Sequence, residues 1–148
     1  FAIVQTSAVL GSFGFGILTD KIGPKKTISI TLLIWIAITI GAYFVASVEA
    51  FYLVAFGAGA AIGSSQSASR SLMALLTPKE REAEFFGFYD GLCGKASAAV
   101  GPSLYGLVTD FTSERFAVLF IGAFFLVGLI VLQGVIEPER KRLSVPQR

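Results

Sequence analysis

Three charged side chains, Arg70, Asp90 and Lys95, interrupt the apolar stretches of this 148-residue sequence, and the amide of Gln66 lies one helical turn before Arg70. A charge at the centre of a bilayer costs about 2.5–3.5 kcal/mol on insertion scales, so such residues normally face protein or water. Lys95 lies ten residues after Phe85, which is about 15 Å along a helix and near the bilayer midplane. We expect these four residues to line a substrate path or gate. Lys95 would face the central cavity and attract an anionic group such as a carboxylate.

Helical spacing also predicts the partners of these charges. Asp90 and Lys95 are five residues apart, which places them about 140° apart around a helix and poorly for pairing with each other. Arg70 follows Gln66 by one turn and lies about two turns from the end of its own apolar stretch. We expect Arg70 to pair with Asp90 or Glu84, either as a fixed structural ion pair or as part of a gate.

The serine-rich stretch GSSQSASRS, residues 63–71, is the other segment whose side chains could do chemistry. A serine nucleophile needs a nearby base, commonly histidine or lysine, and the sequence contains no histidine. It also contains no HExxH motif, no cluster of metal ligands and no glycine-rich phosphate loop. The sequence therefore predicts no enzymatic activity, no metal site and no cofactor, and the serines are better explained as helix-packing residues.

The length of the apolar stretches predicts the helices that hold these residues. The chain is 54% hydrophobic and 15% charged, with a mean hydropathy of +0.74, whereas a soluble domain is about a quarter charged. A helix needs roughly 20 apolar residues to cross a bilayer, and barrel strands would be about half as long and alternating. The sequence therefore predicts an all-α membrane protein with five transmembrane helices over about 1–18, 28–47, 51–76, 85–108 and 116–136, followed by a tail at 137–148.

Lysine and arginine predict the orientation of these spans. The first and third loops and the tail hold nine of the 12 basic residues: Lys21, Lys25, Lys26, Lys79, Arg81, Arg140, Lys141, Arg142 and Arg148. The second and fourth loops hold only Arg115. Because basic loops stay in the cytoplasm, we expect a cytoplasmic first loop and C-terminus, in a bacterial-type inner or plasma membrane. The net charge of +2 is too small to indicate nucleic-acid binding.

Small and capping residues predict local packing. The third span carries a small residue at every fourth position, which suits close helix packing: Gly59, Gly63, Ser67 and Ser71. The sequence Thr77-Pro78-Lys79-Glu80 matches the spacing of a capping box. We therefore expect the fourth helix to begin near Pro78, ahead of its apolar part.

The first loop carries the most specific motif of the chain. Residues 16–26 read GILTDKIGPKK. The residues that form the motif are Gly16, Asp20, Lys21, Gly23, Lys25 and Lys26. This resembles the G-x-x-x-D-[RK]-x-G-[RK]-[RK] signature of the major facilitator superfamily, with a departure at Pro24. The stretch SRSLMALLTPKEREAEFFGFYDGLCGKASAAVGPSLYGLV resembles the tenth and eleventh helices of one branch, the "unknown major facilitator" group related to vacuolar amino-acid effluxers.

The resemblance implies that the chain is helices eight to twelve of a twelve-helix secondary carrier, whose first partner is the missing N-terminal half. It implies export, by alternating access, of an amino acid or another small anionic or zwitterionic metabolite, with the lipid bilayer and a coupling proton or ion as further partners. In the family, the acid at the position of Asp20 caps or salt-bridges a helix end across the two halves. We expect Asp20 to stabilise the outward-facing state in this way, and glycine at Gly16 to allow close backbone approach. Lys25 and Lys26 are equally well explained as residues that keep the loop inside.

Two alternatives stay open from the sequence. AVGPSLYG, residues 99–106, resembles the glycine-proline signature of an antiporter fifth helix, which would make the chain helices two to six of a first half. Against this, the third span has Ala74 rather than glycine four residues after Arg70, and the tail with Pro138 and Pro146 resembles an ending. The protein could also be a non-transporting structural or regulatory half. Because Phe1 already belongs to an apolar stretch, we expect a fragment of a longer carrier, and a natural half-transporter is the alternative.

Overall fold

The fold is a bundle of long helices, seen in a computed structural model that describes residues 1–137. In chain order the helices are α1 (Ala2–Ile22), α2 (Pro24–Phe44), α3 (Val48–Leu76), α4 (Glu82–Phe86), α5 (Lys95–Phe111) and α6 (Glu114–Gln133). A π-helical segment, Gly87–Gly94, joins α4 to α5 without a break, so residues 82–111 form one helical rod. No strand occurs in the described range. The predicted all-α membrane fold is confirmed.

Four of these helices are long and apolar enough to cross a membrane, namely α1, α2, α3 and α6. The fourth predicted span, 85–108, corresponds to the 82–111 rod, which is divided into helical pieces of 5, 8 and 17 residues. Many large apolar side chains point outward, with Phe13 73%, Leu33 55% and Val131 65% exposed. An exposed apolar surface of this extent suits a lipid environment, in which apolar side chains need no burial. The protein is therefore a multi-pass membrane protein.

The turn between α1 and α2 is shorter than the sequence suggests. We expected spans at 1–18 and 28–47, but α1 continues to Ile22 and α2 begins at Pro24, so that Gly23 alone joins them. Gly23 adopts φ 89°, ψ 154°, in a region that residues with a side chain rarely occupy. Pro24 is accommodated because the first turn of a helix needs no intrahelical N–H donor. Asp20 and Lys21 thus lie on the last turn of α1 rather than in a loop.

The predicted capping box at Thr77 does not form. Thr77 ends α3 instead, and its hydroxyl donates to the carbonyl oxygen of Met73 at 2.8 Å. Its backbone is extended (φ −90°, ψ 130°), as expected for a residue that precedes proline. A short 3₁₀ turn, Lys79–Arg81, follows, and α4 begins only at Glu82.

Helices α1 and α3 pack with their backbones in direct contact. A Cβ atom on Gly59 would overlap Ser7 Oγ and the carbonyl oxygen of Val4, and one on Gly63 would overlap the carbonyl oxygen of Ala8. A Cβ atom on Gly11 of α1 would likewise overlap the backbone of Ala60 on α3. The predicted packing role of the small-residue stripe is confirmed for Gly59 and Gly63.

Helix α2 connects α3 and α6 through polar and aromatic contacts. Trp35 Nε1 donates to Ser65 Oγ on α3 at 3.1 Å, and the Trp35 ring stacks on Phe125 of α6 with centroids 4.9 Å apart. Thr31 Oγ1 lies 3.4 Å from Ser64 Oγ, and both side chains are buried. These contacts fix α3, α2 and α6 as neighbours in that order.

Candidate functional site

The motif of the first loop is built at the point where α1, α2 and the end of α6 meet. Lys25 Nζ donates hydrogen bonds to the carbonyl oxygens of Gln133, at 3.0 Å, and Val135, at 2.6 Å. The carboxylate of Glu137 lies beside Gly23, since a Cβ on Gly23 would come within 2.8 Å of Glu137 Oε1. The motif and the end of the last described helix therefore form one contact.

Lys25 acts here as a cap for α6. The last carbonyl groups of a helix have no intrahelical donor, and the C-terminal end carries partial negative charge. An ammonium group that bonds to two carbonyl oxygens at this end supplies both hydrogen bonds and opposite charge. Lys25 is half-buried by this contact, whereas Lys26 beside it is exposed. The structure thus gives the two lysines different surroundings, which the sequence did not distinguish.

The other charged residues of the motif are exposed within this chain. Asp20 and Lys21 are exposed at the end of α1. Gly16 is half-buried, and a Cβ added to it would meet nothing within 4 Å. No part of the described chain approaches Gly16 closely, and its expected close approach to another half of the protein stays a prediction.

Two of the four charged or polar span residues lie together in a cleft. Gln66 and Arg70 on α3 line a cleft of about 390 Å³ between α1 and α3. Gln5 and Ser12 of α1 and Ser67 of α3 complete its polar wall. We did not single out the two α1 residues from the sequence. A polar residue in an otherwise apolar span is the signal that could have found them.

The predicted pairing of Arg70 with Asp90 or Glu84 does not form. The ion pair seen within residues 1–137 joins Arg81 to Glu84, at 2.7 Å between Nη2 and Oε1, and both side chains are more than half exposed. These residues are three positions apart and can pair within one helical turn, so Glu84 finds a partner locally. Arg70 lies on a helix whose closest neighbours are α1 and α2.

Asp90 and Lys95 lie on the 82–111 rod, away from this cleft. Asp90 belongs to the π-helical segment and Lys95 is the first residue of α5; both are exposed. The structure does not bring either of them together with Gln66 or Arg70. Their assignment to a substrate path or gate stays a prediction.

A second and larger cavity separates α5 from α6. It has a volume of about 690 Å³ and a mainly apolar lining that includes Ser97, Gly101, Tyr105, Phe120 and Phe124. Lys95 is not among its lining residues. The cavity therefore gives no support to a cationic site at Lys95. Over residues 1–137, no group of three or more histidine, cysteine, aspartate or glutamate side chains could hold a metal ion.

Comparison with known proteins links the chain to transporters. The sequence profile described as "Vacuole effluxer Atg22 like" matches residues 2–144. An uncharacterized MFS-type transporter, YxiO of Bacillus subtilis, is 29% identical over 99% of this chain and 34% of its own length. Autophagy-related protein 22 of Kluyveromyces lactis is 35% identical over 62% of this chain and 18% of its own length. A multi-drug resistance efflux pump PmrA homolog of Lactococcus lactis is 29% identical over 86% of this chain and 31% of its own length.

The chain thus spans about a third or less of the length of these relatives. No solved structure matches it at the significance that these relatives reach.

Proposed function

Because this chain belongs to the vacuole effluxer Atg22-like family, we propose that it forms helices eight to twelve of a secondary carrier that exports a small solute by alternating access. The profile match over residues 2–144 is the observation that carries this proposal. The resemblance to the vacuolar-effluxer branch, inferred from the motifs, is confirmed by the same match, and the resemblance to the major facilitator superfamily by the MFS-type relative from Bacillus subtilis. The solute class, a small amino acid or another anionic or zwitterionic metabolite, belongs to the proposal.

The contact of Lys25 with α6 supports the proposed orientation. It joins the first loop to the end of α6, so both lie on the same side of the bundle. The positive-inside rule assigns that side to the cytoplasm. Arg140, Lys141, Arg142 and Arg148, on which the rule also depends, lie outside the described residues.

Asp20 is the residue that we propose for conformational control. It lies exposed on the last turn of α1, where a carboxylate can reach a helix end or a basic residue of the other half. Such a contact exists only while the halves are closed on the cytoplasmic side, so it favours the outward-facing state. Lys21, Lys25 and Lys26 supply the positive surface around it. The other half of the carrier, the bilayer and a coupling ion are the partners that this mechanism requires.

The test is a flux measurement on the full-length protein reconstituted in liposomes. Exchange of a mixture of radiolabelled amino acids would be measured for the wild type, for Asp20→Asn, and for the matched control Asp110→Asn, an exposed acid at the end of α5. We expect Asp20→Asn to slow exchange about five- to tenfold, the effect of a coupling energy near 1 kcal/mol, and to shift the balance toward the inward-facing state. Asp110→Asn should exchange at the wild-type rate.

Two results would contradict the proposal at different levels. Equal rates and equal inward/outward balance for Asp20→Asn and the wild type would reject the conformational role of Asp20. Absence of flux of amino acids and other small anionic or zwitterionic solutes through the folded wild-type protein would reject the carrier itself and favour a structural or regulatory half. Placement as helices eight to twelve would be rejected by an upstream sequence that lacks about seven more spans.

A further inference from the structure

The cleft between α1 and α3 is large enough to hold a small molecule. Its volume is about 390 Å³, within the range of about 300–1,000 Å³ that is usual for ligand pockets. Its lining combines a polar wall with the aliphatic residues Val9 and Ile62. A solute of amino-acid size fits within this volume.

The walls of the cleft are held at a fixed distance. Gly63 is one of the lining residues, and it meets the backbone of α1 so closely that a Cβ atom would overlap the carbonyl oxygen of Ala8. The spacing of the two helices is therefore set by backbone contact rather than by adaptable side chains. A site whose geometry is fixed before binding loses less entropy when it takes a ligand.

The polar groups of the cleft are available for a ligand. Among residues 1–137, the side chains of Gln5, Gln66, Ser67 and Arg70 take part in no hydrogen bond or ion pair. Only Ser12 is engaged, through a bond from its hydroxyl to the carbonyl oxygen of Val9 at 2.8 Å. Two amides, one hydroxyl and one guanidinium from two helices thus line the cleft without a partner among residues 1–137.

Arg70 determines the charge of a fitting ligand. It is the only ionised residue in the lining, and a charge inside a membrane span needs an opposite charge or water. Guanidinium groups bind carboxylates through two parallel hydrogen bonds, which gives both strength and orientation. The amide oxygens of Gln5 and Gln66 can accept hydrogen bonds from an ammonium group on the same solute.

We propose that the α1–α3 cleft binds the carboxylate of a small solute such as an α-amino acid, with Arg70 as the anchoring residue and Gln5, Gln66 and Ser67 as orienting donors and acceptors. This deepens the proposed carrier function and rests on it. The position of Arg70, about two turns from the end of α3, puts the carboxylate toward the cytoplasmic side of the span.

The binding test uses purified full-length protein in neutral detergent. A mixture of radiolabelled α-amino acids is the probe, competed by the same unlabelled amino acids or by their amides, which lack the carboxylate. We expect Arg70→Gln to weaken binding about tenfold or more, which corresponds to roughly 1.4 kcal/mol, and Arg70→Lys to retain part of the affinity. The control Arg115→Gln removes an exposed charge outside the cleft and should bind like the wild type.

A second pair of variants keeps the test decisive if Arg70→Gln fails to fold. Ser67→Ala removes a lining hydroxyl, and we expect it to weaken binding by a few-fold. Ser71→Ala, one turn away and outside the lining, should leave binding unchanged. Elution as a single species in size-exclusion chromatography shows which variants are folded.

The outcomes separate this inference from the carrier function. Unchanged binding in Arg70→Gln and Ser67→Ala, or equal competition by amides and acids, would overturn the site while exchange in liposomes still supports a carrier. Displacement of the probe by added phosphatidylglycerol would overturn it in favour of a lipid headgroup, which also presents an anion. The inference is supported if the folded Arg70→Gln and Ser67→Ala variants bind the probe more weakly while Arg115→Gln and Ser71→Ala bind it like the wild type.

Discussion

Glycine has opposite packing roles in the α1–α3 interface and in the 82–111 rod. On α1 and α3, Gly11, Gly59 and Gly63 stand where any side chain would overlap the backbone of the other helix. On the rod, a Cβ atom added to Gly87 or Gly101 would meet nothing within 4 Å. Glycine in the first region allows two helices to touch. In the second it leaves a helix without side-chain contacts at those points.

The backbone of the rod is also less regular than that of α1 and α3. Residues Gly87–Gly94 are π-helical over eight residues and include three glycines, whereas α1 and α3 keep regular α-helical geometry over 21 and 29 residues. π-Helical turns are rare and frequently occur at functional sites. This one holds Asp90, a predicted gate residue. The α1–α3 interface is thus closely packed, whereas the main packing neighbour of the rod among the described helices is α6.

The largest expected effect comes from adding a methyl group to the α1–α3 interface. Gly63→Ala forces the two backbones apart, and we expect it to lower the free energy of unfolding by about 1–3 kcal/mol. The matched change Gly101→Ala meets open space and should stabilise the rod by up to about 1 kcal/mol through helix propensity. Thermal unfolding midpoints of the full-length variants in detergent measure both. Equal shifts for the two variants would remove the contrast between the regions.

An intermediate effect is expected at Lys25, which links the start of α2 to the end of α6. Lys25→Met removes two hydrogen bonds to the end of α6, and because Lys25 is only half-buried we expect a loss of about 1 kcal/mol. Lys26→Met is the control, since Lys26 is exposed and makes no such bond. The difference between their thermal unfolding midpoints is the measurement. Identical midpoints would show that Lys25 has only the topological role shared by all basic loop residues.

The smallest effect is expected at the start of the rod. Arg81 and Glu84 form an exposed pair within one turn, and such pairs contribute about 0–1 kcal/mol. Glu84→Gln should therefore shift the thermal midpoint very little in moderate salt. A shift as large as that of Gly63→Ala would contradict the view that this end of the rod is held only by local contacts.

Some features of the fold could be predicted from local sequence. Apolar length predicts the helices, and the four-residue spacing of Gly59 and Gly63 predicts a packing face, because both depend on neighbours along one helix. The missed features depend on neighbours far along the chain or on competing local effects. Thr77 does not cap the next helix because its hydroxyl donates to Met73 and a 3₁₀ turn at Lys79–Arg81 delays the start of α4 to Glu82. Glu84 does not reach Arg70 because the neighbours of α3 are α1 and α2, and Glu84 pairs within its own turn with Arg81.

The sequence by itself determined the class of the protein, since apolar stretches of bilayer length, clustered charges and the motif from Gly16 to Lys26 are properties of consecutive residues. The tertiary structure alone decided which helices touch. Gln5 and Ser12 lie about 60 residues from Gln66 and Arg70 in the sequence, and Lys25 lies 108 residues from Gln133. They meet because glycine contacts and helix ends bring distant segments together, and no periodicity within one helix records which partner it will face.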